Sequence, residues 1–325
     1  MIGKRGKILV ILYMIFLGAL FLMCSTDLII REPEKEVYQM AVIIEDTRDD
    51  NYGNFRKGMD QAAVEFNADV RFITLYEKMD SQQQLELISR EQQDGTDALL
   101  VVPADEEQII MALARKEITI PVVLLGAELT GQEVIGSITV DYKEMGELLA
   151  RKMAERIPKD CPVLVFAEPE IHSPKSRRFL SGAMEALESR GHGCQMIAGS
   201  TDQGFLEIMK AFKDWDGERA VILAESPEIL TEAAGILADD PAIASAVEGL
   251  YGRGSNLSIL NYVDRGLITG ICVTDEFGMG YFGVLTAIEG LEGLGNGAGK
   301  TMDSWYIEKK DLRDPAYEKM LFPIE

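Results

Sequence analysis

Short apolar runs alternate with amphipathic segments along most of this chain, and this alternation constrains the fold more than any other feature. The apolar run at residues 37–46 is followed by "NFRKGMDQAAVEF", in which Phe55, Met59 and Phe66 share one helical face. The same order of strand and helix continues to the strand predicted at residues 121–128. Because these strands are apolar almost throughout, they predict a parallel sheet that is covered by helices on both faces.

After "GSITVDY" the alternation starts again. A helix is predicted at residues 143–157, a strand at 161–168 and a helix at 175–191, and the pattern continues to a strand at 268–276. A last helix and a tail at 301–312 close the chain. Two successive series of this kind predict an α/β protein with two doubly wound parallel-sheet lobes.

The stretch "GLGNGAGKT" at residues 293–301 is similar to a phosphate-binding loop, but its spacing and context differ. The position that requires the first glycine is occupied by Leu294. The loop should also follow a strand and begin a helix, whereas apolar residues at a helical spacing precede it. We therefore interpret the glycines as a helix end followed by a flexible turn, and not as a nucleotide site.

Residues 1–36 differ in composition from the rest of the chain and predict a membrane anchor with a short stalk. Basic residues in "MIGKRGK" precede the uncharged stretch from Ile8 to Thr26, which is long enough to cross a bilayer as a helix. This arrangement predicts a cytoplasmic N-terminus and an extracytoplasmic remainder, held at the cell membrane by a single pass. A good small-x-small cleavage site is missing, and Met23 precedes Cys24 where a lipoprotein signal requires a small residue. A retained anchor is favoured, with cleavage or lipidation at Cys24 as alternatives.

Charge and side-chain chemistry exclude several classes of function. The chain has 32 basic and 54 acidic residues, a net charge of −22, so we expect no nucleic-acid partner. The two histidines, His172 and His192, are too few and too isolated for a zinc site, and no cofactor or metal is expected. Beyond the anchor, the odd number of cysteines provides no disulfide framework. Cys161 and Cys194 begin apolar runs, so either a disulfide or, preferably, buried free thiols are predicted.

The loops that follow the predicted strands are polar, and several carry carboxylates. Such loops lie at the carboxyl ends of the strands, where doubly wound sheets bind ligands. They contain no Ser-His-Asp set, no metal cluster and no Gly-x-Gly-x-x-Gly turn, so we expect a binding protein and not an enzyme. The loops are "EDTRDDNY", "VPAD", "LGAEL", "AEPEIHSPKS", "AESPE", "YGRGSN" and "VTDE".

Five stretches together resemble the type I periplasmic solute-binding proteins, a family that includes ribose and galactose binders and shares its ligand-binding core with LacI-type repressors. They are "NYGNFRKGMDQAAVEFNADV", "GTDALLVVPAD", "IPVVLLGAELTGQEVIGSITVDYKEMGELLA", "SPKSRRFLSGAMEAL" and "VDRGLITGICVTDEFGMGYFGVLTAIEGLEG". The resemblance covers residues 37 to 325. It implies two lobes joined by a hinge of three crossovers, with lobe 1 formed by residues 37–140 and 274–301 and lobe 2 by residues 141–273 and 302–325.

The resemblance also implies which residues contact a ligand between the lobes. Carboxylates accept hydrogen bonds from hydroxyl groups, the arginine fork donates to two acceptors, and an aromatic face stacks on a sugar ring. The ligand-binding residues carried over to matching positions are Asp49, Tyr52, Asp105, Arg177, Glu225 and Arg253.

Several positions depart from the sugar binders of that family. Gly126-Ala127 stand where those proteins commonly have Asp-Arg, Arg253 stands in place of an aspartate, and Glu225 stands in place of an asparagine. The expected ligand is therefore a sugar, another polyol or a small polar signal.

The expected function is an extracytoplasmic solute-binding protein that delivers a sugar-like ligand to an ABC permease, and we expect it to be a monomer. The alternative is a co-receptor that presents the ligand to a membrane sensor kinase. A LacI-type regulator is not favoured, since the chain begins with an apolar segment instead of a basic DNA-binding motif.

Overall fold

The computed structural model describes residues 4–25, 37–127, 134–158, 161–199, 204–211, 219–294 and 299–323. The chain divides into two compact units, the first ending at Val37 and the second beginning at Tyr38. Each unit is described separately below.

The first unit contains a single described helix, α1 (Lys4–Ser25). Its segment Gly6–Met23 has a mean hydropathy of 2.3, and among the described residues it is the one helix that is long and apolar enough to cross a membrane. A signal sequence near the N-terminus has the same properties, so the choice between a retained anchor and a cleaved signal stays open. The predicted stalk lies outside the described residues.

The second unit is built on two six-stranded sheets, as the alternation of elements predicted. The strands of the first sheet, in its spatial order, are β11 (Gly299–Met302), β5 (Val134–Val140), β4 (Val122–Leu125), β3 (Ala98–Val101), β1 (Tyr38–Ile43) and β2 (Ala68–Ile73). The strands of the second sheet are β12 (Ser304–Ile307), β10 (Gly270–Thr274), β9 (Val247–Arg253), β8 (Ala220–Ala224), β6 (Val163–Ala167) and β7 (Cys194–Ala198). All neighbouring strands are parallel except β10 and β12.

Helices cover both faces of each sheet, because strands that are buried on both sides must be shielded from water. On the first sheet these are α2 (Gly53–Phe66), α3 (Ser81–Gln93), α4 (Glu106–Ala114) and α11 (Glu276–Leu291). On the second sheet they include α5 (Tyr142–Ala154), α6 (Pro174–Glu188), α7 (Gly204–Lys210), α8 (Pro227–Asp239), α9 (Pro241–Ala246) and α10 (Leu257–Arg265). The last helix is α12 (Pro315–Leu321), and short 3-10 helices lie at Asp50–Tyr52 and Lys309–Arg313. We call each sheet with its helices a lobe, lobe 1 for the first sheet and lobe 2 for the second.

The chain crosses between the two sheets three times, each time at a single aspartate. Asp141 joins β5 to α5, Asp275 joins β10 to α11, and Asp303 joins β11 to β12. The carboxylates of Asp141 and Asp275 each accept a hydrogen bond of 2.8 Å from a backbone N–H in the first turn of the helix that follows. Asp141 and Asp275 therefore each follow the last residue of a strand in one lobe and cap the first turn of a helix in the other lobe.

The structure differs from the sequence-based prediction near the C-terminus. Helix α11 ends as expected: Gly293 has a φ of +70° and Leu294 N donates to Glu289 O at 2.8 Å. Residues 295–298 of the predicted turn lie outside the described residues. The turn prediction is wrong for Gly299–Met302, which forms β11 at the edge of the first sheet, and the predicted tail contains β12. Both are edge strands of four residues, and β11 has no apolar run, so the sequence carries little strand signal there.

Among the described residues beyond the anchor, Cys161, Cys194 and Cys272 form no disulfide. Cys194 begins β7 and is paired in register with Val163, the first residue of β6, and Cys161 lies two positions before Val163. The two cysteines therefore lie at the same end of adjacent strands, as predicted. The Cys161 thiol donates to the Arg219 carbonyl at 2.8 Å.

Candidate ligand-binding cleft

A cavity of about 350 Å³ is lined by residues from both lobes, at the carboxyl ends of the strands. From lobe 1 it is lined by the loops that follow β1 and β2 and by the start of α11. From lobe 2 it is lined by the loops that follow β6, β8 and β9 and by the end of β10. Its volume is in the range of small-molecule sites. We call it the cleft cavity.

Carboxylates outnumber cations in the wall of the cleft cavity. The cations are Lys78, Lys175 and Arg253, with the imidazole of His172 beside them. The carboxylates are Glu45, Asp46, Glu168, Glu225, Glu228 and Glu276. A wall of this composition has many acceptors for hydroxyl or amine hydrogens and a few strong donors.

Glu45, Lys175 and Tyr52 form a network that joins the lobes inside the cavity. Lys175 Nζ of lobe 2 lies 2.8 Å from Glu45 Oε1 of lobe 1, and the Tyr52 hydroxyl donates to Glu45 Oε2 at 2.7 Å. Burial opposes the charge of Lys175, but the adjacent Glu45 carboxylate outweighs it, and the pKa of Lys175 lies above its ordinary value. Burial and the same carboxylate raise the pKa of Tyr52 well above its ordinary value, so Tyr52 remains a donor.

A second group of polar contacts joins the lobes around Lys78. Lys78 Nζ lies 3.8 Å from a carboxylate oxygen of Glu168 and 3.8 Å from one of Glu228. The amide of Asn51 donates to Glu228 and accepts a hydrogen bond of 2.8 Å from Asn256. Burial alone would raise the pKa of Glu228, but Lys78 and hydrogen bonds bring it below its ordinary value, so Glu228 is ionised.

Arg253 is held in place by contacts that leave part of its guanidinium facing the cavity. Its Nε donates to the Glu225 carbonyl at 3.2 Å and its Nη2 to Ser176 Oγ at 3.0 Å. The guanidinium lies 5.6 Å from the ring centroid of Tyr142 and 5.7 Å from that of Phe179, distances typical of cation–π contacts. These contacts fix a donor group at the centre of the cleft.

Three of the carboxylates in the cavity wall, those of Asp46, Glu225 and Glu276, form no ion pair with any described residue. Burial raises the pKa of each of them, that of Glu276 to about 7. Glu225 Oε2 accepts a hydrogen bond of 3.0 Å from Glu168 N. Their remaining lone pairs are acceptors for hydrogens that a ligand brings into the cavity.

The structure separates the six site residues suggested by the sequence into three groups. Tyr52, Glu225 and Arg253 line the cleft cavity. Asp105 and Arg177 line an adjoining cavity of about 570 Å³. Asp49 is outside both sets of lining residues, and its half-exposed carboxylate is paired with Arg56. Ligand contact by any of these residues stays a prediction.

Sequence reasoning missed Lys175, Glu45, Glu228 and Glu276, although all four lie in or beside the polar loops that it singled out. Lys175 is two positions before Arg177 on α6, and residues two apart point to different sides of a helix. The loops indicated the correct edge of each sheet, but not which side chain of each loop faces the cavity.

Comparison with known proteins agrees with this architecture. A sequence profile of the family described as "Periplasmic binding protein domain" matches residues 40–295. No curated protein matches the sequence.

Solved structures with the same fold are numerous. An ABC transporter solute-binding protein from Agrobacterium vitis, bound with α-D-tagatopyranose, superposes with a TM-score of 0.75 at 19% identity, covering 88% of this chain and 100% of that chain. A solute-binding protein from Bacillus halodurans with bound myo-inositol gives 0.73 at 15% identity, covering 89% and 99%. A glucose-galactose binding protein from Geobacillus stearothermophilus gives 0.71 at 18% identity, covering 86% and 100%.

At these identities the structural matches establish the fold, and the family profile establishes descent. The profile covers most of the chain, including the strands and helices of both lobes that line the cleft cavity. The protein is therefore a member of the periplasmic binding protein domain family.

Proposed function

We propose that the second unit is an extracytoplasmic solute-binding domain that holds a small polyhydroxylated ligand, a sugar or a sugar-like molecule, between its lobes. The observation that carries this proposal is the cleft cavity, whose polar groups come from both lobes and include three carboxylates without an ion-pair partner among the described residues. A ligand there contacts both lobes at once and so stabilises their closed arrangement.

The chemistry of the wall favours a ligand with many hydroxyl groups. Carboxylates accept hydroxyl hydrogens, Arg253 and Lys175 donate to ring and hydroxyl oxygens, and the rings of Tyr142 and Phe55 offer apolar faces. The ligands bound in two of the similar structures, tagatopyranose and myo-inositol, are of this kind. The departures at Gly126-Ala127, Glu225 and Arg253 support a ligand different from the common hexoses.

A thermal-shift screen of the full chain in detergent micelles tests the proposal. The panel contains monosaccharides, polyols, nucleosides and amino acids. A ligand present at 100 times its Kd stabilises the folded state by about 2.7 kcal/mol, which is a clear rise in Tm. A response to sugars or polyols supports the proposal, and a response to amino acids or nucleosides alone contradicts it.

Glu225→Gln tests whether the cavity wall makes the contact. The glutamine keeps the shape but replaces a charged acceptor, so we expect the affinity for the best sugar to fall about tenfold or more in isothermal titration calorimetry. The matched control is Glu188→Gln, which changes an exposed carboxylate of the same lobe and should leave the affinity unchanged. Equal affinity in both variants would remove Glu225 from the site.

The proposed partner is an ABC permease at the cell membrane, where α1 would keep the binding domain near the transporter. The alternative is a sensor kinase partner, which a retained α1 also fits. Deleting the gene for this protein distinguishes the two partners. Loss of uptake of the labelled ligand supports an importer. Unchanged uptake with loss of a transcriptional response to the ligand supports a co-receptor.

A further inference from the structure

The cleft cavity has a neighbour that also spans the lobes. The adjoining cavity, about 570 Å³, shares Met79 and His172 with the cleft cavity, so these two side chains stand between the two spaces. The His172 side chain is 64% exposed and its Nε2 lies 3.4 Å from a carboxylate oxygen of Glu170, while Met79 is a flexible thioether side chain. The two cavities are therefore adjacent.

Both lobes contribute to the wall of the adjoining cavity. Lobe 1 supplies Ser81 and the first turn of α4, and lobe 2 supplies the first turn of α6. Glu106 of lobe 1 and Arg178 of lobe 2 form two hydrogen bonds there, of 3.0 and 2.7 Å. A ligand group in this space therefore lies between the two lobes, as does one in the cleft cavity.

The adjoining wall is polar, and the residues that line it include no Phe, Tyr or Trp. Its apolar members are Met79, Ala104 and Pro174. Carboxylates, guanidinium groups, a serine hydroxyl and the imidazole of His172 make up the rest, and this composition suits hydroxyl groups and not an apolar substituent.

Arg177 is the best-placed donor in this wall. Its Nη1 donates to the carbonyls of Ile171 and His172 at 3.1 and 3.2 Å, which fixes the guanidinium. In the described part of the chain, its Nη2 and Nε donate to no protein acceptor. Asp105, by contrast, caps α4: its Oδ1 accepts hydrogen bonds of 2.9 and 3.1 Å from the backbone N–H groups of Glu107 and Gln108.

We infer that the ligand is an extended carbohydrate of at least two units, with one sugar in the cleft cavity and the next in the adjoining cavity against Arg177. This inference rests on the proposed function and deepens it by naming the size of the ligand. The cleft cavity selects the first unit, and the adjoining cavity adds affinity for the second.

Isothermal titration calorimetry on the full chain in detergent micelles tests this inference. Glucose, galactose and xylose are compared with disaccharides that contain them: cellobiose, maltose, lactose, melibiose and xylobiose. We expect one disaccharide to bind at least about tenfold more tightly than its better constituent, the gain expected from one charge-assisted hydrogen bond. Arg177→Ala should reduce the ratio of the two affinities to about one.

The matched control is Arg190→Ala. Arg190 follows α6 and also donates to a backbone carbonyl, that of Ala186 at 2.8 Å, but it lines neither cavity. This variant should keep the affinity ratio of the unmodified protein. Saturation-transfer NMR provides a second readout, in which protons of both rings of the disaccharide should receive magnetisation.

The outcomes separate this inference from the proposed function. If a monosaccharide binds and every disaccharide binds no tighter, or if the gain persists in Arg177→Ala, the two-unit ligand is wrong and the proposed function stands. Saturation transfer to the protons of only one ring of the disaccharide also overturns the inference of a two-unit ligand. If no monosaccharide, disaccharide or polyol binds, the proposed function fails, and the inference fails with it. If a polyol binds and no sugar does, the proposed function stands and the two-unit ligand is wrong.

Discussion

The carboxylate of Glu276 lies at the start of α11, in the wall of the cleft cavity. A helix N-terminus favours a negative charge, and Ser255, Lys175 and Arg253 also act to lower its pKa. Burial outweighs all of these effects and raises the pKa of Glu276 to about 7, from an ordinary value of 4.5. Ionised Glu276 therefore lowers the free energy of unfolding, because burial destabilises its charge.

This cost predicts a specific pH dependence at one residue. Because the folded-state pKa of Glu276 lies above the unfolded value, its contribution to stability is full below about pH 4.5 and is lost as the pH rises through 7. Glu276→Gln should therefore raise the free energy of unfolding at pH 8, by about 3 kcal/mol at most, and by much less at pH 5. Urea unfolding at the two pH values measures this difference.

The control for that measurement is Glu289→Gln, an exposed carboxylate on the same helix. It should change the free energy of unfolding equally little at both pH values. If the Glu276 variant behaves like this control, the carboxylate is hydrated in the folded protein, and the assigned burial effect is wrong.

At the scale of elements, each lobe contains two helices that touch backbone to backbone through a pair of glycines. A Cβ at Gly58 of α2 would lie 1.9 Å from Phe277 O, and one at Gly280 of α11 would lie 2.0 Å from Phe55 O. In lobe 2, Gly146 of α5 and Gly182 of α6 meet the partner helix in the same way. These contacts place the first turns of α11 and α6, and therefore Glu276 and Lys175, at the cavity.

Gly280→Ala should destabilise the protein because the two helices must separate to admit the methyl group. Overpacking of this kind costs about 1–3 kcal/mol, and the backbone contact leaves no flexible side chain to yield. The measurement is the midpoint of urea unfolding, combined with the affinity for the best ligand, which should fall as α11 shifts.

Gly235→Ala is the matched substitution in α8. The added Cβ would meet only the Tyr262 hydroxyl, at 3.6 Å, an ordinary contact. This change should stabilise the helix by about 0.4–1 kcal/mol. A Gly280 variant as stable as the Gly235 variant would show that α2 and α11 are not in close contact.

In the whole second unit, buried polar contacts hold the lobes together across the cleft. The Glu45–Lys175 pair is the most enclosed, with 12% and 18% of its side chains exposed. The pairs of Lys78 with Glu168 and Glu228, and of Arg178 with Glu106, are more exposed. The closed arrangement thus depends on charges that water can reach again when the lobes separate.

Lys175→Met should shift the protein towards an open cleft. It leaves the Glu45 carboxylate buried without its cation, which costs about 3–5 kcal/mol in the closed form, and opening the cleft relieves the cost by hydrating Glu45. The ratio of closed to open forms should fall at least about a hundredfold. Small-angle X-ray scattering should record a larger radius of gyration.

Lys143→Met is the control for this experiment. Lys143 also lies 2.8 Å from a carboxylate, that of Glu185, but both side chains are about half exposed, at 49% and 59%, and both belong to lobe 2. Losing an exposed pair of this kind should change neither the scattering curve nor the stability appreciably. Identical scattering from both variants would show that Glu45 and Lys175 do not hold the cleft closed.

The amino-acid sequence by itself determined the architecture and the edge at which the candidate site lies. Strands as apolar as "ALLVV" and "AVILA" are stable only when helices cover both faces, so the alternation of elements was sufficient to predict two parallel sheets. Glu225 and Arg253 reach the cleft cavity because they lie directly after a strand and at a strand end, and Tyr52 belongs to the loop that follows β1.

Only the tertiary structure decided which neighbours of those residues face the cavity and how the sheets end. The phase of α6, set by its close packing on α5, directs Lys175 into the cleft cavity and Arg177 into the adjoining one. Strands β11 and β12 form by backbone pairing with the edge strands β5 and β10. Glu45 and Lys175 form a hydrogen bond although 130 positions separate them in the sequence. Local sequence patterns record periodicity over a few turns, whereas these features depend on contacts between distant segments that exist only after the lobes have folded.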